Sequence, residues 1–206
     1  LLPEELETFF GAMGESAYRA RQVFQWIHEK DVSDFAQMTN LPLPLREKLS
    51  RTSLVTTATV EKKLVSARDG TVKFLFGFAD GEKVESVLMQ YKHGNTVCIS
   101  TQAGCRMGCA FCASTVNGLK RNLEPSEMLE QVQAAQRHTG RTVSNIVLMG
   151  IGEPLDNLDT VLKFLELVNH PDGMNIGMRH ISLSTCGIVP GIRRLAELEL
   201  QLTLSV

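Results

Sequence analysis

Thr96–Leu123 reads TVCISTQAGCRMGCAFCASTVNGLKRNL. Its first five residues have the β-branched, apolar character of a strand. Cys105, Cys109 and Cys112 follow at C-x3-C-x2-C spacing. Three thiolates so close in sequence can converge on one soft metal centre, and iron–sulfur clusters are held by cysteine thiolate. Three ligands leave one iron of a four-iron cluster without a protein donor. An open iron can bind a substrate, so the spacing points to chemistry more than scaffolding. A structural zinc knot is the competing reading, with Cys98 as the fourth ligand. It is the weaker one, because structural zinc sites usually pair their ligands in two separated short spacings. A disulfide reading is weaker still.

Downstream, strand and helix patterns alternate. Glu124-Pro125-Ser126-Glu127 opens a helix, Asn145–Met149 reads as a strand, and Asn157 or Asp159 caps a second helix. His180–Thr185 is a strand, Pro190 starts a third helix, and Leu202–Val206 is a strand. This alternation predicts a parallel sheet. In parallel α/β barrels the sites lie in the loops after the strands. The cysteine loop, Gly150-Ile151-Gly152-Glu153-Pro154 and Ser184-Thr185-Cys186-Gly187 follow or close three successive strands, so all three are expected on one rim.

Upstream, residues 54–93 change character. LVTTATVEKKLV, TVKFLFGFA and KVESVLMQY alternate, with Asp69-Gly70 and Asp80-Gly81 between them, which predicts a three-stranded antiparallel meander. Residues 1–53 look helical. Leu2, Leu6, Phe9 and Phe10 form one apolar face, and Ser16 is placed to cap a second helix. Tyr18, Val23, Phe24, Trp26 and Ile27 are expected in its core. Leu41-Pro42-Leu43-Pro44 is a turn before a short helix.

The chain has 206 residues, 43% of them hydrophobic, with a formal net charge of −2. That charge does not announce a nucleic-acid binder, although Arg19, Arg21, Arg46, Lys48, Arg51, Lys62 and Lys63 are candidates for a local basic patch. No apolar run approaches the roughly 20 residues that span a bilayer. Five cysteines, three of them clustered, fit a reducing compartment, and the protein is read as cytoplasmic. The first residue is Leu and the last stretch reads as a strand, so both ends are expected to be boundaries within a longer protein.

The cysteine spacing, with an aromatic before the third cysteine, resembles the signature of radical S-adenosylmethionine (SAM) enzymes. Val84-Glu85-Ser86-Val87, Gly94-Asn95-Thr96-Val97-Cys98, Gln102, Gly118–Leu123, Met149–Pro154 and Ser184–Gly187 resemble the RlmN family of dual-specificity RNA adenine-C2 methyltransferases. The resemblance implies an α/β fold: a partial (β/α) radical SAM barrel over 94–206, truncated at its C-terminus. A small helical accessory domain of RNA-binding type (1–53) and the β extension (54–93) would precede it.

The resemblance also implies a 4Fe–4S cluster on Cys105, Cys109 and Cys112, with SAM held by Gly152, Glu153 and Ser184. Reductive cleavage of SAM would give a 5′-deoxyadenosyl radical. Glu85 would be the proton acceptor, and Cys98 the thiol that resolves a covalent protein–RNA adduct by forming a disulfide. The implied partners are 23S rRNA, tRNA and an electron donor such as flavodoxin, with the protein a monomer and no membrane involved. The methyl-carrying cysteine of the family has no counterpart in these residues. Cys186 reads as a small-residue substitution, and this chain alone is expected not to methylate RNA. The alternatives are an adenine-C8 methyltransferase and a non-catalytic zinc-binding RNA module.

Overall fold

The computed structural model describes residues 1–55 and 58–206. The chain divides into two units, Leu1–Thr57 with Glu166–Asn175, and Ala58–Leu165 with Ile176–Val206.

The first unit carries α1 (Pro3–Ala12), α2 (Ala17–His28) and α3 (Leu43–Thr52). Proline near the start of α1 and α3 presets helical φ where no intrahelical N–H bond is lost. Ser16 stands at the N-cap of α2 as expected, but its side chain makes no capping hydrogen bond. Leu6, Phe10, Val23, Phe24, Met38, Leu45 and Leu49 bury together, joined by Leu167 from the end of α5. Tyr18, expected in the core, is 64% exposed.

The second unit is built on a seven-stranded mixed sheet. Its strands are β1 (Ala58–Val65), β2 (Val72–Phe78), β3 (Lys83–Tyr91), β4 (Gly94–Cys98), β7 (Val143–Leu148), β8 (Ile181–Ser184) and β9 (Thr203–Ser205), in the order β1-β2-β3-β4-β7-β8-β9. The strands from β1 to β4 pair antiparallel; β4, β7, β8 and β9 pair parallel. The meander therefore runs by hydrogen bonds into the parallel strands, through Val87–Cys98 and its neighbours. The expected first strand began at Leu54; Thr56 and Thr57 lie outside the described residues, and β1 starts at Ala58. The Asp-Gly pairs sit in the turns between the meander strands, where Gly70 and Gly81 adopt positive φ.

Side-chain alternation divides the sheet into two faces. Phe74, Phe76, Leu88, Val97, Ile146 and Leu183 are fully buried on one. Met128 and Val132 of α4 (Pro125–Thr139) and Val161 and Phe164 of α5 (Leu158–Asn169) are buried with them. The other face lines a cavity of about 610 Å³ whose walls include Val87, Met89, Cys98, Asn145 and Ser182. α6 (Val189–Glu197) follows β8.

One element was not foreseen. β5 (Gln102–Gly104) and β6 (Leu119–Asn122) form a separate antiparallel pair, and the three cysteines lie on the segment between them.

Candidate active site at the strand ends

The β5–β6 pair closes the neck of the cysteine loop. Gly104 has φ +75°, and a Cβ there would lie 2.0 Å from the Gly118 carbonyl oxygen. Only glycine lets the two backbones approach so closely, and the Cys105 N–H donates to that same oxygen at 3.2 Å. Between the joined ends sit Cys105, Cys109 and Cys112, all free thiols, Cys105 buried and the others half-buried. Burial pushes the Cys105 thiol up, the Met107 N–H pulls it back, and nearby Cys112, Cys109 and Glu153 raise it further. Among the described residues no three His, Cys, Asp or Glu side chains form a preformed metal cage. The donor set itself is soft, three thiols on one short loop, and it suits an iron–sulfur cluster.

The turn after β7 is locked to the first rim segment. Gly152 has φ +105°, and a Cβ there would meet the Gln102 Cβ at 2.6 Å. The Thr101 and Gln102 N–H groups both donate to the Ile151 carbonyl, at 2.9 and 3.2 Å. Ser100 Oγ donates to the Glu85 carbonyl at 2.7 Å and accepts from the Ile151 N–H at 2.9 Å. Gln131 of α4 grips the Ser100 backbone twice, accepting its N–H at 2.8 Å and donating to its carbonyl at 3.0 Å.

Glu153 is buried at 4% exposure. Its carboxylate accepts from the Leu155 N–H at 2.9 Å, the Thr185 hydroxyl at 2.7 Å and the Cys186 N–H at 2.8 Å. These bonds tie the turn after β7 to the turn after β8. The Cys186 thiol also hydrogen-bonds this carboxylate, so the usual four or so acceptor positions of a carboxylate are all engaged. Desolvation and then Glu153 push the Cys186 thiol up to about 11, and Cys109 and Cys105 lie near enough to add to the effect. Ser184 ends β8 in register with Ser205, half-buried.

The structure thus brings Cys105, Cys109, Cys112, Gly152, Glu153 and Ser184 to one set of strand ends, as the order of motifs implied. Glu85 and Cys98 lie on the cavity face of the sheet, Glu85 within β3 and Cys98 as the last residue of β4. Val87 stands between the two positions, since it pairs with Cys98 and follows Glu85 on the same face. Glu85 is half-exposed and pairs with Lys73 Nζ at 2.7 Å. Burial raises the Cys98 thiol, with the Met149 N–H opposing.

Several rim residues escaped the sequence reading. Asn157, read as a possible cap, does not cap α5. A 3-10 turn, Pro154–Asn157, leads into that helix, with Glu153 accepting at its start. Asn157 instead donates from Nδ2 to the Thr101 and Leu123 carbonyls, both at 3.0 Å. Gln102, noticed only as part of a resemblance, is wholly buried. Its one available signal was a long amide set between Thr101 and an Ala-Gly pair, in a stretch too short to be a core strand.

Residues 99–206 match the radical SAM superfamily model, and residues 1–55 match the ribosomal RNA large subunit methyltransferase N-terminal domain. The chain belongs to the radical SAM superfamily, whose cofactors are a 4Fe–4S cluster and SAM. Within the superfamily it is similar to the RlmN proteins. It is 53% identical over 203 residues to a probable dual-specificity RNA methyltransferase RlmN of Clostridium novyi, covering 98% of this chain and 59% of that protein. It is 54% identical over 202 residues to the corresponding protein of Desulforamulus reducens, covering 98% and 58%. The crystal structure of a radical SAM methyltransferase from Sphaerobacter thermophilus matches with a TM-score of 0.94 at 42% identity, over 99% of this chain and 61% of that one. The chain spans about three-fifths of the length of these relatives.

Proposed function

We propose that this chain is part of a radical SAM RNA methyltransferase acting at C2 of an adenine in 23S rRNA and tRNA. The observation that carries the proposal is the convergence of three segments at the ends of β4, β7 and β8, with Glu153 bonded to Thr185 and Cys186 across two of them. Cys105, Cys109 and Cys112 would hold the cluster. Gly152 would let backbone approach SAM, Glu153 would set its carboxylate toward an ammonium group in exchange for the Cys186 thiol, and Ser184 would supply a hydroxyl at the end of β8. When bound, the cluster and SAM supply one-electron chemistry, which suits a carbon with no acidic proton.

Glu85 and Cys98 act from the cavity face. Glu85 accepts the proton lost from the base, with Lys73 holding the carboxylate in place. Cys98, a thiol whose pKa burial raises, gives up its proton and as thiolate attacks the sulfur that carries the RNA adduct, on a second cysteine beyond these residues. The S–S bond forms as that sulfur's bond to the methylene carbon breaks, and the electron pair leaves on the carbon, which is protonated to the product methyl group. The target base leaves its stack to reach the cavity.

In the helical unit, Trp26 is an unsuitable stacking platform: its Nε1 donates to Asn40 Oδ1 at 2.5 Å, and Lys30 Nζ sits 3.9 Å from the ring centroid. Exposed Tyr18, with Arg19 near its ring, is the better candidate for RNA contact. No helix among the described residues is long and apolar enough to cross a membrane. A cytoplasmic location, a flavodoxin-type electron donor and a monomeric state complete the reading. The domain division 1–53, 54–93 and 94–206 stands as part of it, with the meander serving as one wall of the cavity.

Mass spectrometry of RNA from cells lacking the full-length gene tests the proposal: 2-methyladenosine disappears from both RNAs. Retention of 2-methyladenosine, or loss of 8-methyladenosine in its place, refutes it. The zinc alternative is tested on full-length protein under anaerobic conditions. The enzyme reading expects a brown protein whose spectrum survives Cys98→Ala, whereas a colourless protein whose metal leaves with Cys98 supports the zinc module.

A further inference from the structure

Gln102 is 0% exposed and bonds through both ends of its amide. Oε1 accepts the Glu153 N–H at 2.8 Å. Nε2 donates to Asn122 Oδ1 at 2.8 Å and to Asp156 Oδ2 at 3.0 Å. The other Asp156 oxygen takes the guanidinium of Arg106, the residue after the first cysteine of the loop. Burial alone would raise the Asp156 carboxyl, but hydrogen bonds from Arg106 and Gln102 outweigh it and hold it below the usual carboxylate range. A continuous chain of polar contacts thus runs from the Glu153 backbone through a buried amide and a carboxylate to the cysteine loop.

We propose that Gln102, acting through Asp156 and Arg106, is a positioning residue that fixes the cysteine loop against the Gly152–Glu153 turn and so sets SAM affinity. The inference rests on the functional reading above. A buried amide suits this task because it offers an acceptor on one side and donors on the other at fixed separation. The mouth of the loop is already joined at Gly104 and Gly118. What remains adjustable is the direction the thiols face, and Arg106 lies among them. The Arg106 side chain is 62% exposed, so its pairing with Asp156 is not required to fill the core.

The test uses full-length protein carrying its reconstituted cluster, with SAM as the probe. Gln102→Glu keeps the acceptor for the Glu153 N–H but sets a carboxylate against Asp156. Adding Asp156→Asn restores a donor–acceptor pair with its polarity reversed and leaves an oxygen for Arg106. We expect Gln102→Glu to retain wild-type iron content, to weaken SAM binding about tenfold or more by calorimetry, and to lose the change SAM makes in the cluster's electron paramagnetic resonance spectrum. The double variant recovers both. Arg106→Ala, at an exposed side chain, weakens SAM binding in the same direction with iron retained, which covers the case in which Gln102→Glu does not fold. Unchanged SAM affinity in the variants overturns the inference, and so does affinity lost only in proportion to iron. A wild-type protein with no cluster, or with no spectral response to SAM, overturns the functional reading itself and is told apart by that control.

Discussion

In the helical unit, Phe10, Phe24, Met38 and Leu49 are each at most 1% exposed, and their neighbours in the core are apolar. At the strand ends, Ser100, Gln102, Gln131, Glu153, Asn157 and Thr185 are buried almost as deeply, but their partners are backbone amides, carbonyls and one another. Burial in the first case is stabilised by removing carbon from water. In the second, a polar group is tolerated only because nearly every donor and acceptor is matched. The two designs fail differently. An apolar core tolerates change of shape in proportion to the volume lost. A matched polar lattice loses direction first, because one absent donor strands its acceptor. A site that must aim three thiols and a carboxylate gains from the second design.

The largest expected effect separates the rim from everything else. Cys109→Ala in the full-length protein abolishes the visible chromophore and reduces iron to background while leaving the circular dichroism spectrum unchanged. A loss of helical signal would show that the loop also holds the fold. Phe24→Ala comes next, on the apolar side. The Phe24 ring packs at a tilt against His28 and edge-on to His170, with centroids 4.3 and 4.8 Å away. Truncation is expected to cost about 3–5 kcal/mol in denaturant unfolding, with the cluster spectrum intact.

His28 is an exception within the helical unit. It is a buried polar side chain whose Nδ1 has no hydrogen-bond partner. Burial lowers its pKa from 6.5 to about 3. The unfolded chain therefore takes a proton below pH 6.5 that the folded chain refuses until about pH 3. Its stabilising contribution is complete above pH 6.5 and is lost as pH falls through that window. The difference in thermal midpoint between wild type and His28→Gln should shrink on going from pH 7.5 to pH 5; a constant difference would contradict the assignment.

Gly152→Ala probes the rim's sensitivity to backbone. Positive φ and the contact with Gln102 predict a loss of about 1–3 kcal/mol and, with it, weaker SAM binding. A stable variant with normal SAM binding would show that the turn is looser than the lattice implies. The smallest effect is expected at Lys73–Glu85, an ion pair about half-exposed on both sides. Lys73→Met should change stability by less than about 1 kcal/mol, so any larger change in turnover would report on Glu85 and not on folding.

Much of this architecture is legible from periodicity. Alternation in TVKFLFGFA and KVESVLMQY gives β2 and β3, and Asp-Gly gives their turns. Strand and helix patterns after residue 95 give β4, α4, β7, α5, β8, α6 and β9. Motif order alone places three segments on one rim. What periodicity cannot give is partnership across long sequence separations. Gln102 meets Asp156 across 54 residues, and Glu153 meets Thr185 across 32. Neither sits in a pattern that marks it as buried, because a paired polar side chain has no hydrophobic signature. Asn157 shows the same limit: next to a helix start, an Asn reads as a cap, and only the fold reveals that its amide bridges two other segments. The β5–β6 pair was hidden for another reason, since three- and four-residue strands are too short to display alternation.

The neck at Gly104 and Gly118 has a consequence for assembly. With its ends already fastened, the loop bearing Cys105, Cys109 and Cys112 keeps its thiols on one short tether, so under the proposed function each sulfur after the first would bind from a high effective concentration and not from free solution. Stripping iron with a chelator should then leave the surrounding strands in place, and the cluster should rebuild without the protein passing through an unfolded state.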